Sequence, residues 1–187
     1  MRIGVDLDGV IYNSENWIFA MAELQMIHQN KKQQPDRTSS DIQVRYHMTE
    51  KEAFEFRKKF NPQQILHAPL MPFALEALQE LKQQCHEIFI ITNRGKIFSE
   101  HIALTNKRLQ KDGVLFDEIH FCNGSKTETC KACNIDVMID DNFQVVSALA
   151  KEGIRCIQFK ADSTKKAKHK NIQIAYNWGE VIALLQK

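Results

Sequence analysis

Five short, nearly unbroken apolar runs, each set off by a stretch of helical patterning, constrain the fold of this 187-residue chain more than any other feature. They are Ile3–Val5, Glu87–Ile91, Glu118–Phe121, Asp136–Ile139 and Ile154–Phe159. Strands covered by helices on both faces read as continuous apolar stretches rather than as alternation. A helical segment, Phe98–Gln110, follows the second run and is closed by Gly113. Ser125–Cys133 fills the next gap, and Val145, Val146 and Leu149 form an apolar helical face that ends at Gly153. This alternation predicts a parallel α/β sheet with right-handed crossovers. With 43% hydrophobic residues, the chain can bury the core of one compact domain.

The first crossover breaks the pattern, because the stretch from Val5 to Glu87 is far longer than one helix requires. Pro72, at an expected first helical position, opens an amphipathic helix carrying Leu75, Leu78 and Leu81, and this is the ordinary crossover. The remainder, residues 13–70, reads as an inserted helical cap, leaving 1–12 and 71–187 as the core. One cap helix places Trp17, Met21, Leu24 and Ile27 on a single face. A second is announced by the capping-box pair Thr49 and Glu52 and is expected to stop at Asn61-Pro62. The polar stretch QNKKQQPDRTSSD between them reads as a loop.

The chemistry concentrates at strand ends. In Asp6-Leu7-Asp8-Gly9-Val10, side chains at i and i+2 of an extended segment point the same way. Both carboxylates therefore emerge at the C-terminal end of the first strand, where open α/β sheets place their ligands. Asp140-Asp141 repeats the arrangement after the run Val137–Ile139. Four carboxylates converging in one crevice repel each other, and a hard divalent cation with oxygen ligands, Mg²⁺, is the simplest remedy. Thr92, with Asn93 beside it, ends the second strand. Lys126 opens the helix introduced by Gly124-Ser125, where the helix dipole favours anions, so a lysine there makes sense if an anion binds nearby.

A formal net charge of +2 gives no global field that would draw nucleic acid or a membrane. No apolar run approaches the roughly 20 residues of a membrane span. The strand-like start RIGVDLD is read as leaving no room for a cleaved signal, and five cysteines, an odd number, favour a reducing compartment; the expectation is cytoplasmic. Cys130 and Cys133, with Cys122 and His120 upstream, read as packing residues rather than a zinc site. The basic run Lys165–Lys170 reads as an exposed loop.

The ordered set DLDGV at Asp6–Val10, ITN at Ile91–Asn93, Lys126 and DVMIDD at Asp136–Asp141 resembles the haloacid dehalogenase superfamily of phosphohydrolases. The resemblance implies a three-layer α/β sandwich around a five-stranded parallel sheet in the order 3-2-1-4-5, with Asp6 beside Asp140-Asp141 at the topological switch point. It implies Asp6 as nucleophile and Asp8 as general acid, then base. Thr92, Asn93 and Lys126 would bind the phosphoryl group. The metal would lie on the Asp6 carboxylate, the Asp8 backbone carbonyl and Asp141, ranked above Asp140, which stands close by. Asp8 argues for phosphate chemistry, since an alkoxide leaving group needs a proton and a halide does not. The cap, the segment Ala68–Leu78 and DVMIDD are similar to the 5'(3')-deoxyribonucleotidase family, which implies a nucleoside monophosphate as the small-molecule partner. Trp17 and Phe19 are then the expected base-stacking residues. Sugar phosphates, or a non-catalytic phosphate-binding role, are the alternative readings.

Overall fold

The computed structural model describes residues 1–30, 34–159 and 165–186. The chain runs β1 (Arg2–Val5), α1 (Ser14–His28), α2 (Ile42–Arg45), α3 (Glu50–His67), α4 (Ala74–Gln83), β2 (Glu87–Thr92), α5 (Glu100–Asp112) and β3 (Glu118–Phe121). It continues through α6 (Lys126–Ala132), β4 (Val137–Asp140), α7 (Phe143–Lys151), β5 (Arg155–Phe159), β6 (Ile172–Ala175) and α8 (Trp178–Leu185). All strand pairs are parallel, in the order β3-β2-β1-β4-β5-β6. Among the described residues the sheet therefore has six strands, not the five expected. β6 escaped notice because IQIA alternates rather than running apolar, as suits a half-buried edge strand.

Strand alternation divides the core into two layers. Ile3, Val5, Ile88, Ile90, Val137 and Ile139 pack with Leu78 and Leu81 of α4 and with Trp178 and Val181 of α8. Phe89, Ile91, Met138 and Cys156 face the other way, against Cys130 of α6 and Val146 and Leu149 of α7. Each such fully buried Leu or Ile contributes about 1.5–3 kcal/mol relative to exposure. Ser125 and Asn142 cap α6 and α7 through side chains that accept backbone N–H bonds, and Gly113 ends α5 at φ +68°.

Helices α1, α2 and α3 enclose their own small core of Ile18, Phe19, Ala22, Met26, Tyr46, Ala53 and Phe56. The buried face of α1 is not the one expected: Leu24 and Ile27 are exposed, because α3 covers the neighbouring stripe instead. Nor does α3 stop at Asn61-Pro62; it continues to His67. An interior proline costs about 3 kcal/mol, which tertiary anchoring offsets here. The Arg108 guanidinium on α5 donates to the carbonyls of Leu66 and Ala68 at the helix end. Pro72 lies in the turn before α4, whose N-cap is Phe73 at φ +62°.

The two cap connections run side by side. Asn13 N–H donates to Pro69 O (2.8 Å) and Met71 N–H to Ile11 O (2.8 Å). Within the expected loop Gln29–Asp41, residues 31–33 lie outside the described residues. Residues 165–169, most of the basic run, have no regular structure and lead towards β6. Among the described residues, no helix is long and apolar enough to cross a membrane.

Candidate active site

The site is built where β1, β2 and β4 end. Beyond Val5 the chain tightens: the Leu7 carbonyl accepts from Ile11 N–H (3.0 Å) and Tyr12 N–H (2.9 Å), and Gly9 N–H donates to Tyr12 O (2.9 Å). Gly9 sits at φ +77°, and a Cβ there would lie 2.2 Å from Asp141 Oδ2. The turn leaves both Asp6 and Asp8 facing one cleft of about 340 Å³.

Lys126, at the first turn of α6, reaches beneath the cleft. Its Nζ donates to Asp6 Oδ1 (2.8 Å) and Asp140 Oδ2 (2.7 Å), with only 5% of the residue exposed. Burial works against its ammonium, but Asp140 and then Asp6 hold the pKa above the ordinary lysine value. Asp140 is fully buried and does not line the cleft; its other oxygen accepts from Asn142 N–H (2.8 Å). Asp141 does line it. Carboxylate oxygens of Asp6, Asp140 and Asp141 come within 4.8 Å of one another. Burial, outweighing Lys126 and reinforced by Asp140, pushes Asp6 up to about 7. Burial and the charges of Asp140 and Asp6 also raise Asp141 well above the usual carboxylate range.

Thr92 is buried at the end of β2 and accepts from Arg94 N–H through Oγ1 (3.2 Å), while Asn93 is exposed at the rim. Arg94, not among the residues expected at the site, grips the two Asp8 oxygens with Nε and Nη2 at 2.9 and 2.7 Å. Burial opposes the Asp8 charge, but this guanidinium outweighs it and holds the carboxyl below its ordinary value. Arg94 stands two residues after Thr92, the same spacing that pairs Asp6 with Asp8, and that parity was the available signal. Phe98 and His101 also line the cleft, their rings 5.1 Å apart.

The structure does not bring Trp17 or Phe19 to the cleft. Phe19 is buried in the cap core, with the Arg45 guanidinium 3.9 Å over its ring, and Trp17 packs between the cap core and the main core. Closeness in sequence to the Asp6–Gly9 turn does not bring them there, because α1 presents Ser14, Glu15 and Ile18 to the cleft instead. The other cap residues at the cleft are Ser40, Asn61, Gln64 and Ile65, so its cap side is mainly polar. Cys133 Sγ lies 3.4 Å from His120 Nε2, but among the described residues no cysteine joins a group of three candidate metal ligands.

The model of the family described as 5' nucleotidase, deoxy (pyrimidine), cytosolic type C protein matches residues 1–187. A nucleotidase of Clostridium acetobutylicum is 25% identical over 189 aligned positions, covering 100% of this chain and 94% of that protein. Among solved structures, a haloacid dehalogenase-like hydrolase from Streptococcus pneumoniae superposes with a TM-score of 0.73 at 16% identity. The match covers 99% of this chain and 98% of the other. A D,D-heptose 1.7-bisphosphate phosphatase from B. bronchiseptica, complexed with magnesium and phosphate, gives 0.56 at 14% identity, covering 100% and 99%.

Proposed function

The chain belongs to the cytosolic type C 5' nucleotidase family of haloacid dehalogenase-like phosphatases, and from that premise we propose that it hydrolyses nucleoside monophosphates through an aspartyl-phosphate on Asp6. The observation that carries this reading is the convergence of Asp6, Asp141 and Lys126 at the cleft floor, with Asp8 beside them.

The donor set fits Mg²⁺. Lys126 is shared between Asp6 and Asp140, which leaves the raised Asp141 with no cation at contact distance among the described residues. Hard oxygen ligands at the mouth of a phosphate site suit this ion. Asp6, the Asp8 carbonyl and Asp141 would hold it, with Asp140 behind them positioning Lys126. When bound, it would supply charge neutralisation for the carboxylates and the phosphoryl oxygens.

The chain's own groups then divide the work. An Asp6 oxygen attacks phosphorus as the bond to the leaving oxygen breaks, and Asp8 gives that oxygen a proton. Water next attacks the aspartyl-phosphate, losing its proton to Asp8, and the phosphorus–Asp6 bond breaks to restore the carboxylate. Thr92, Asn93 and Lys126 hold the phosphoryl oxygens, and positioned charge does most of the catalytic work.

The cap side of the cleft favours a leaving group read by hydrogen bonds. Ser40, Asn61 and Gln64 suit sugar hydroxyls, and the Phe98 ring, which also lines the cleft, is packed against Phe54 at 5.4 Å. Ribose, more than base stacking, is the expected handle, so sugar phosphates remain the second reading. A panel of nucleotides and sugar phosphates, assayed with and without Mg²⁺, tests this, together with mass-spectrometric search for a phosphoryl adduct on the Asp6 peptide. Metal-independent turnover, or an adduct elsewhere, would overturn the assignment.

A further inference from the structure

The Arg94 guanidinium is spent on Asp8 rather than on the phosphate site. Its fork meets both carboxylate oxygens, its side chain is 5% exposed, and it lies 5.2 Å from the ring of the fully buried Tyr12. The Arg94 N–H bond to Thr92 Oγ1 fixes its backbone at the cleft edge. Two parallel N–H bonds define the carboxylate plane, which a single bond would leave free to rotate. An ionised carboxylate offers about four lone-pair sites; the fork takes one on each oxygen. Ser14 engages the carboxylate as well, and what is left faces the cleft, because the Asp8 side chain is 40% exposed. The remaining nitrogen, Nη1, is buried with no partner among the described residues, which is a costly arrangement for a group with only a structural task.

We propose that Arg94 is a positioning residue for the second half of the reaction, holding the Asp8 carboxylate in the plane from which it takes the proton of the hydrolytic water. In that step the water oxygen bonds to phosphorus, the phosphorus–Asp6 bond breaks with its electron pair returning to Asp6, and the water proton passes to Asp8. The proposal rests on the reading of Asp8 as acid and base given above. It does not make Arg94 a phosphate ligand, a task that Lys126 and Thr92 fill.

An activated aryl phosphate separates the two halves, because its leaving group departs without a proton. Rapid mixing of Arg94→Met with excess p-nitrophenyl phosphate and Mg²⁺ should give a burst of about one nitrophenol per enzyme. Steady turnover should then run roughly 10- to 100-fold slower than wild type, a part of the roughly 10²- to 10⁴-fold that a positioned base contributes. Arg94→Lys, which keeps the charge without the fork, should show the same burst with a smaller slowing; it carries the test alone if the Met variant does not fold. In an Asp8→Asn background, Arg94→Met should add no further loss. Burst and steady rate falling together would overturn the proposal, as would a full additional loss in the Asn background. An Asp8→Asn enzyme without a burst, or a wild type without an Asp6 adduct, would overturn the parent reading and the proposal with it.

Discussion

Replacing Gly9 with alanine probes whether Asp141 belongs to the metal site. The new methyl would sit 2.2 Å from Asp141 Oδ2 and 2.6 Å from its Cγ, far inside ordinary contact, so Asp141 has to move. The backbone at φ +77° adds its own penalty, about 1–2 kcal/mol for a residue with a Cβ. Relieving the overlap adds about 1–3 kcal/mol. Gly153→Ala is the matched control: φ is +86° there, yet nothing lies within 4 Å, so only the backbone cost applies. Binding sites tolerate displacements of only about 0.5 Å. Gly9→Ala should therefore lose Mg²⁺ affinity by roughly tenfold or more, while Gly153→Ala loses stability alone. Calorimetric Mg²⁺ titration reads the affinity and urea unfolding the stability. A folded Gly9→Ala protein that binds Mg²⁺ and turns over as wild type does would refute the placement of Asp141 in the site.

Lys126→Met strips Asp6 and Asp140 of their shared cation; breaking a buried pair costs about 3–5 kcal/mol, so urea midpoints should fall and turnover vanish. Because the folded Asp6 value, about 7, lies above its ordinary 3.8, the folded state holds the extra proton between them. The metal-free protein should thus lose stability as pH rises from about 4 to 7, and the thermal upshift on adding Mg²⁺ should be larger at pH 7.5 than at pH 5; equal upshifts would contradict this. Asp8→Asn should abolish turnover of alkyl phosphates while an aryl phosphate still gives a burst, detected by rapid quench. Phe19→Ala, which empties a cap-core site and removes the ring under Arg45, should cost about 3–5 kcal/mol and lower activity on all substrates alike.

The parallel sheet and the cleft-floor residues were legible because continuous apolar runs ending in acids leave few alternatives: Asp6, Thr92, Lys126 and Asp141 each sit at or just past a strand or helix end, where chain position dictates where a side chain goes. β6 was not, since its alternating IQIA obeys the rule for an edge rather than for a centre. The buried side of α1 was misread because Leu24 and Ile27 are as apolar as the residues that do pack, and only the placement of α3 chooses between the two stripes. That same choice decides whether Trp17 and Phe19 meet the cleft, so the error passed from the helix face to the substrate site. Pro62 misled through a sound local rule, overruled by Arg108, which is remote in sequence.

The adjacent cap connections have a consequence for how such a protein changes over time. Because Ile11–Asn13 and Pro69–Met71 are hydrogen-bonded neighbours, the sheet sees the cap as a loop already closed at its base. Doubling the length of such a loop costs only about 0.6 kcal/mol in closure entropy. Segments can therefore be lengthened or shortened at this junction at little cost in closure entropy to the sheet and the strand ends that carry the cleft. The constraints left over are local: an incoming segment must offer carbonyls that Arg108 can hold and a hydroxyl, as Ser14 does, to accept from Gly9 N–H. The junction is thus held at two points, Arg108 at the end of α3 and Ser14 at the start of α1.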